Sequence, residues 1–127
     1  MPDRNRVLSE IKRLNGSVEV DAQGQVLKVD LDGCAIGDGD LVHLLAFPEL
    51  QALDLTGRDV SDDAMTSVAA LGELRHLWLN ETRVTDRGLA TLSNLKNLQS
   101  ISLYDTKVTY DGVSALERAI PGLAVWR

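Results

Sequence analysis

Much that would mark a specialised chain is missing here. There is a single cysteine, Cys34, among 127 residues, which excludes an internal disulfide and fits a reducing compartment. No stretch approaches the roughly 18 consecutive apolar residues of a membrane span. The start, MPDRNRVLSEIKRL, lacks the continuous apolar run of a secretory signal, so a soluble cytoplasmic protein is expected. No Lys/Arg cluster offsets the net charge of −6. Arg4, Arg6, Lys12 and Arg13 gather near the N-terminus, so the rest of the chain is more acidic still. Repulsion from phosphate excludes nucleic acid and anionic membranes as expected partners. Only two histidines are present, and there is no GxxxxGK[ST] loop, HExxH or CxxC pair.

What the chain has instead is repetition. Residues 50–73, 74–97 and 98–122 read as three versions of one unit, 24, 24 and 25 residues long. A fainter version occupies residues 26–49. Self-similarity at such a period points to a stack of supersecondary units, each lending its neighbour the apolar wall it lacks. The domain boundaries follow: one domain over residues 1–127, with a cap at 1–25, repeats 26–49, 50–73, 74–97 and 98–122, and a terminal strand at 123–127.

Within residues 74–97, Leu77 and Leu79 alternate as on one face of a short strand, which turns Trp78 to the other face. Thr85 and Asp86 read as a helix start, the hydroxyl as cap and the acid near the positive end of the dipole. Leu89, Leu92 and Leu95 then form one apolar stripe. The same columns recur along the chain. Position 4 holds Val29, Leu53, Leu77 and Ile101; position 6 holds Leu31, Leu55, Leu79 and Leu103; position 11 holds Ile36, Val60, Val84 and Val108. The helical columns are Leu41, Met65, Leu89 and Val113, then Leu44, Val68, Leu92 and Leu116. Connections of about 15–20 residues allow parallel returns and no hairpins. The expected fold class is α/β, a parallel sheet on one side and helices on the other.

At the N-terminus, Val7, Leu8, Ile11 and Leu14 form a helical stripe that stops at Asn15-Gly16. Ser17–Val20 and residues 25–31 read as a hairpin around Asp21-Ala22-Gln23-Gly24. At the other end Leu123 restarts the strand pattern. Counted from Leu123, Trp126 falls in the core column as a lid over the last unit, and Val125 and Arg127 fall at the outward positions 3 and 5.

The pattern LxxLxLxxTxVTDxGLxxL, plainest in LRHLWLNETRVTDRGLATL and next in LQSISLYDTKVTYDGVSAL, resembles the leucine-rich repeat family, in its cysteine-containing type and in the short arrays common in bacterial proteins. The resemblance covers residues 26 to about 122. It implies a solenoid with the sheet on its concave side and the helices on its convex side, the helix-plus-hairpin segment acting as N-terminal cap. It further implies protein–protein recognition rather than enzymatic activity. In the family, position 9, here Cys34, Arg58, Thr82 and Thr106, turns inward to hydrogen-bond the backbone where the strand ends. Arg58 departs from that pattern, because a buried charge needs a partner. Cys34 reads as a buried structural thiol.

Candidate partner-binding residues are those between and after the strand leucines. Trp78 leads, as a large aromatic on the solvent side of a strand. Tyr104 lies one strand over, with His76, Asn80 and Glu81 flanking, and Asp54 occupies the neighbouring strand position. Asp30, Asp32 and Asp54 form an acidic cluster and a candidate metal site; a solvated patch partly neutralised by Lys28 is the expected reading, because calcium takes more ligands than three. No cofactor is expected. An enzyme is not expected either. His76 can be drawn with Ser100 and Asp54 as a triad, but no oxyanion loop accompanies it. The expected partner is a protein with basic and apolar groups. The open C-terminal strand edge offers a second expectation, a structural or assembly role by self-association, the chain being a monomer or a weak homodimer.

Overall fold

Leu50, Leu74 and Leu98 each close a turn in the same way, their N–H groups donating at 3.0 Å to the carbonyls of Phe47, Leu71 and Leu95. In each case a three-residue strand follows two positions on. The computed structural model in which this is seen describes residues 3–57 and 59–127, so the environment of Arg58 lies outside the described residues. The chain forms α1 (Arg4–Arg13), β1 (Ser17–Val20), β2 (Val26–Asp30), β3 (Ala52–Asp54), α2 (Met65–Ala69), β4 (His76–Trp78), α3 (Asp86–Thr91), β5 (Ser100–Ser102), α4 (Tyr110–Ala119) and β6 (Ala124–Trp126), with 3₁₀ segments at Asp38–Ala46, Asp62–Ala64 and Leu92–Asn94.

The architecture is mixed α/β. One six-stranded sheet runs in the order β1 to β6, with β1 antiparallel to β2 and every later pair parallel. Val29, Leu53, Leu77, Ile101 and Val125 stand opposite one another across the five parallel strands. The column residues expected at positions 4 and 6 are buried without exception, as are both helical columns. Val108, at position 11, is only partly buried. Spacing the leucines by three suits the helical stretch over Leu89, Leu92 and Leu95, because α3 tightens into 3₁₀ there, and side chains three apart line up on one edge of such a helix.

Residues 4–30 form a helix followed by an antiparallel strand pair, as the sequence pattern predicts. Asp3 caps α1 by accepting from the Asn5 and Arg6 N–H groups. Arg4 reaches from α1 to the Ala46 carbonyl at 3.0 Å and to Glu49 at 2.9 Å, and its guanidinium lies 5.2 Å from the centroid of the Phe47 ring. Glu49 also accepts from the Val26 N–H. Burial alone would raise the Glu49 pKa, but these backbone and Arg4 contacts hold it below its ordinary value.

A device absent from the sequence reading ties the helical side together. The Asp62 carboxylate accepts from the Thr85 N–H at 2.7 Å and from the Thr85 hydroxyl. Asp38 holds Ser61 in the same manner, and Asp86 holds Thr109. Each hydroxyl in turn accepts from an N–H of its own helix start, Asp63, Arg87 or Gly112. The cap expected at Thr85 is therefore present, but it is itself held by the acid of the preceding unit. The ladder starts at Asp38, whose own unit begins its helical segment at Gly37, which has no hydroxyl to hold. A Cβ added at Gly88 or Gly112 would collide with the carboxylate of Asp62 or Asp86, which explains glycine at those two helix positions.

One expectation is corrected. Trp126 is not a lid in the core column: Val125 pairs with Ile101, and Trp126 pairs with Ser102. Leu123 closes its turn on the Ile120 carbonyl as the earlier leucines do, but the strand then begins one residue sooner. A one-residue slip turns each side chain of a strand to the opposite face. Ala124 therefore takes outward position 3 instead of Val125, and Trp126 takes position 5 instead of Arg127. Trp126 is 54% exposed.

Candidate functional site

Strand alternation sends the leucines inward and leaves a second set of side chains on the outer face of the sheet. One column there runs Asp30, Asp54, Trp78, Ser102, Trp126, and the next runs Lys28, Ala52, His76, Ser100, Ala124. Successive members of a column are about 4.8 Å apart. Trp78 is half-buried rather than fully exposed. Two neighbours account for the cover: the Lys28 ammonium stands 5.3 Å from its ring centroid, and the His76 ring lies 6.2 Å away, tilted by 37°. Ser102, small and flanked in its column by Trp78 and Trp126, is buried.

Asn80 organises the end of the strands. Its side-chain oxygen accepts from the Ser102 hydroxyl at 2.7 Å and from the Tyr104 N–H at 2.8 Å. This fixes the start of the turn that carries Tyr104, which is 49% exposed. The following turn position is left-handed in every unit: φ is 81° at Gly33, 74° at Gly57, 59° at Glu81 and 57° at Asp105. Glycine takes that backbone freely and other residues do so at a cost. Glu81 and Asp105 thus present exposed carboxylates from strained positions beside the aromatic residues. Below them Thr82 and Thr106 donate to the Leu79 and Leu103 carbonyls at 2.7 and 2.8 Å, the inward role expected of position 9. Cys34 is buried.

The six expected partner-binding residues therefore share one face, but not one contact. Trp78, His76 and Asp54 sit side by side in the strands, whereas Asn80, Glu81 and Tyr104 follow at the turn. The aspartates do not converge. Asp30 accepts from the Asp32 N–H at 3.0 Å and Asp54 from the Thr56 N–H at 2.9 Å; each carboxylate is turned to its own strand end, and Asp32 lies out on the turn. Among the described residues no group of three or more His, Cys, Asp and Glu side chains is placed to hold a metal ion, so the candidate cation site at Asp30, Asp32 and Asp54 is withdrawn. His76 Nδ1 and Ser100 Oγ are hydrogen-bonded at 2.8 Å, but no carboxylate among the described residues bonds to that ring, and the triad is incomplete. Two members of the face escaped the sequence reading, Trp126 and Lys28 as the partner of Trp78. A strand count taken from the pairing would have found the first; the second needs a side chain that crosses β3.

The chain matches no protein-family model and no curated protein. Among the described residues no helix is long and apolar enough to cross a membrane.

Proposed function

We propose that the chain is a leucine-rich repeat solenoid with the sheet as its concave side, and that it works as a protein-binding module without enzymatic activity. Its expected setting is the cytoplasm. The parallel strands paired at a constant 24-residue offset and the buried columns behind them support the architecture. The binding role rests on one observation above the others. Tyr104 and Trp126 are about half exposed on the outer face, with half-buried Trp78 beside Asp54 on the same face. Large aromatics placed in this way are enriched among residues that dominate binding energy. A face of this size supplies roughly 600–800 Å² per partner, a low-to-standard interface. The acids at Asp54, Glu81 and Asp105 favour a partner with basic as well as apolar groups.

The test is the double variant Trp78→Ala, Tyr104→Ala, compared with the unaltered chain against a partner recovered by affinity capture. Binding weakened by at least about tenfold is expected, with the circular dichroism spectrum and melting temperature little changed. Undiminished affinity in the folded variant would remove the outer face as the site.

A second reading, self-association through the edge of β6, draws support from Trp126 beside that unpaired edge. It predicts that molar mass in light scattering rises from one chain toward two with concentration, and that Trp126→Lys abolishes the rise. A constant single-chain mass would eliminate it.

A further inference from the structure

We infer that the face of Trp78 is a cation-recognition site which Lys28 fills in the unbound chain, and that a protein partner enters it with an arginine or lysine side chain that displaces Lys28. The inference rests on the outer face being the docking surface, and it adds the chemistry of the group recognised and a competitor built into the chain. Lys28 belongs to β2 and Trp78 to β4, so the lysine stem must cross β3 to bring its ammonium within 5.3 Å of the ring centroid. The contact is a cation over the negative face of an indole, the strongest aromatic acceptor of such a charge. Asp54 stands next to Trp78 in the strand register, and Asp30 next to Asp54, so the cation sits where aromatic and acidic groups meet.

Lys28 is also poorly committed. Its side chain is 33% exposed, and its second contact is Glu19, at 3.7 Å and itself 72% exposed. Leaving Trp78, the ammonium keeps Glu19 as counter-ion, so displacement strands no charge. An arginine gains more at the vacated ring than lysine does, because its planar guanidinium stacks on the indole while its N–H groups remain free for a carboxylate such as Asp54. A net charge of −6 favours the approach of a basic partner.

The probe is the peptide acetyl-Gly-Arg-Gly-Arg-Gly-amide, with its citrulline counterpart as the neutral control. Trp126→Phe leaves Trp78 as the sole tryptophan, whose fluorescence is followed during titration. The arginine peptide is expected to perturb Trp78 and the citrulline peptide is not. Lys28→Gln should tighten the arginine peptide about two- to fivefold, the equivalent of one exposed cation–π contact. Lys12→Gln, which removes the same charge from α1, should leave the affinity unchanged. Equal binding of the two peptides, an unaltered or weaker affinity in Lys28→Gln, or an equal gain in Lys12→Gln would overturn the inference. The docking reading is judged separately. If a captured protein loses affinity for the Trp78→Ala, Tyr104→Ala variant yet binds Lys28→Gln as it binds the unaltered chain, the face stands and the displacement falls.

Discussion

Replacing Leu77 with alanine is expected to destabilise the protein by about 3 kcal/mol, within the range for a fully buried leucine truncated in a close-packed core. Leu77 is 1% exposed and stands between Leu53 and Ile101, themselves fully buried, on the neighbouring strands. The cavity would therefore open at the middle of the column, where backbones held by strand pairing on both sides cannot close in to fill it. A loss of this size is a large part of the stability of an ordinary domain. Urea unfolding followed by circular dichroism is the measurement. A lower midpoint with an unchanged slope is expected, since the variant exposes the same surface on unfolding. Val125 provides the contrast: it ends the same column but is only partly buried, so Val125→Ala should cost much less. A loss below about 1 kcal/mol at Leu77 would mean that the column is not close-packed.

The legibility of this chain follows the same division between the repeated and the particular. Val29, Leu53, Leu77 and Ile101 could be placed from sequence because each must bury its side chain against the next, and the period repeats the requirement. The N-terminal hairpin was equally plain, since Asp21-Ala22-Gln23-Gly24 combines a carboxylate that accepts from the Gln23 and Gln25 N–H groups with a glycine at φ 79°. Trp126 was misplaced for a physical reason: Leu123 repeats the turn of Leu98, but the strand after it starts a residue early, and counting from a leucine carries no information about pairing. The aspartate clusters misled in another way. Asp30 and Asp54 share a column, which sequence shows, but one oxygen of each carboxylate is turned back to its own strand end, which it does not. Lys28 was read as neutralising those acids. Its long stem instead carries the charge to Trp78, a choice among rotamers that no spacing rule decides. Thr85 and Asp86 were seen as one local cap, although the recurrence of Asp38/Ser61, Asp62/Thr85 and Asp86/Thr109 was already a signal that acid and hydroxyl work across units.

That recurrence leads to the second large effect. Asp62→Ala is expected to cost about 2 kcal/mol, the usual scale for hydrogen bonds to a charged group. It deprives the Thr85 N–H and hydroxyl of their acceptor and removes the carboxylate that Arg87 approaches at 3.6 Å. The Asp62 side chain is only 9% exposed, so water replaces it poorly. Asp86→Ala breaks a matching pair at a more exposed place and should cost less. Acid distinguishes this account from simple loss of packing. Burial by itself would raise the Asp62 pKa, but the Thr85 and Arg87 contacts outweigh it and hold the carboxyl below its ordinary value of 3.8. The Thr109 hydrogen bonds likewise lower Asp86. A carboxyl with a depressed folded-state pKa takes up its proton more readily in the unfolded chain. Its contribution is therefore complete above the unfolded-state pKa, near 4, and is lost as pH falls through the lower folded-state value. Melting temperatures measured from pH 7 downward should hold nearly level and then decline below about pH 4. Asp62→Asn, which keeps the shape and one acceptor oxygen but cannot ionise, should start lower at pH 7 and decline less steeply. If its curve stays parallel to that of the unaltered chain through the acid range, the charge on Asp62 contributes nothing to holding Thr85, and the ladder is held by shape alone.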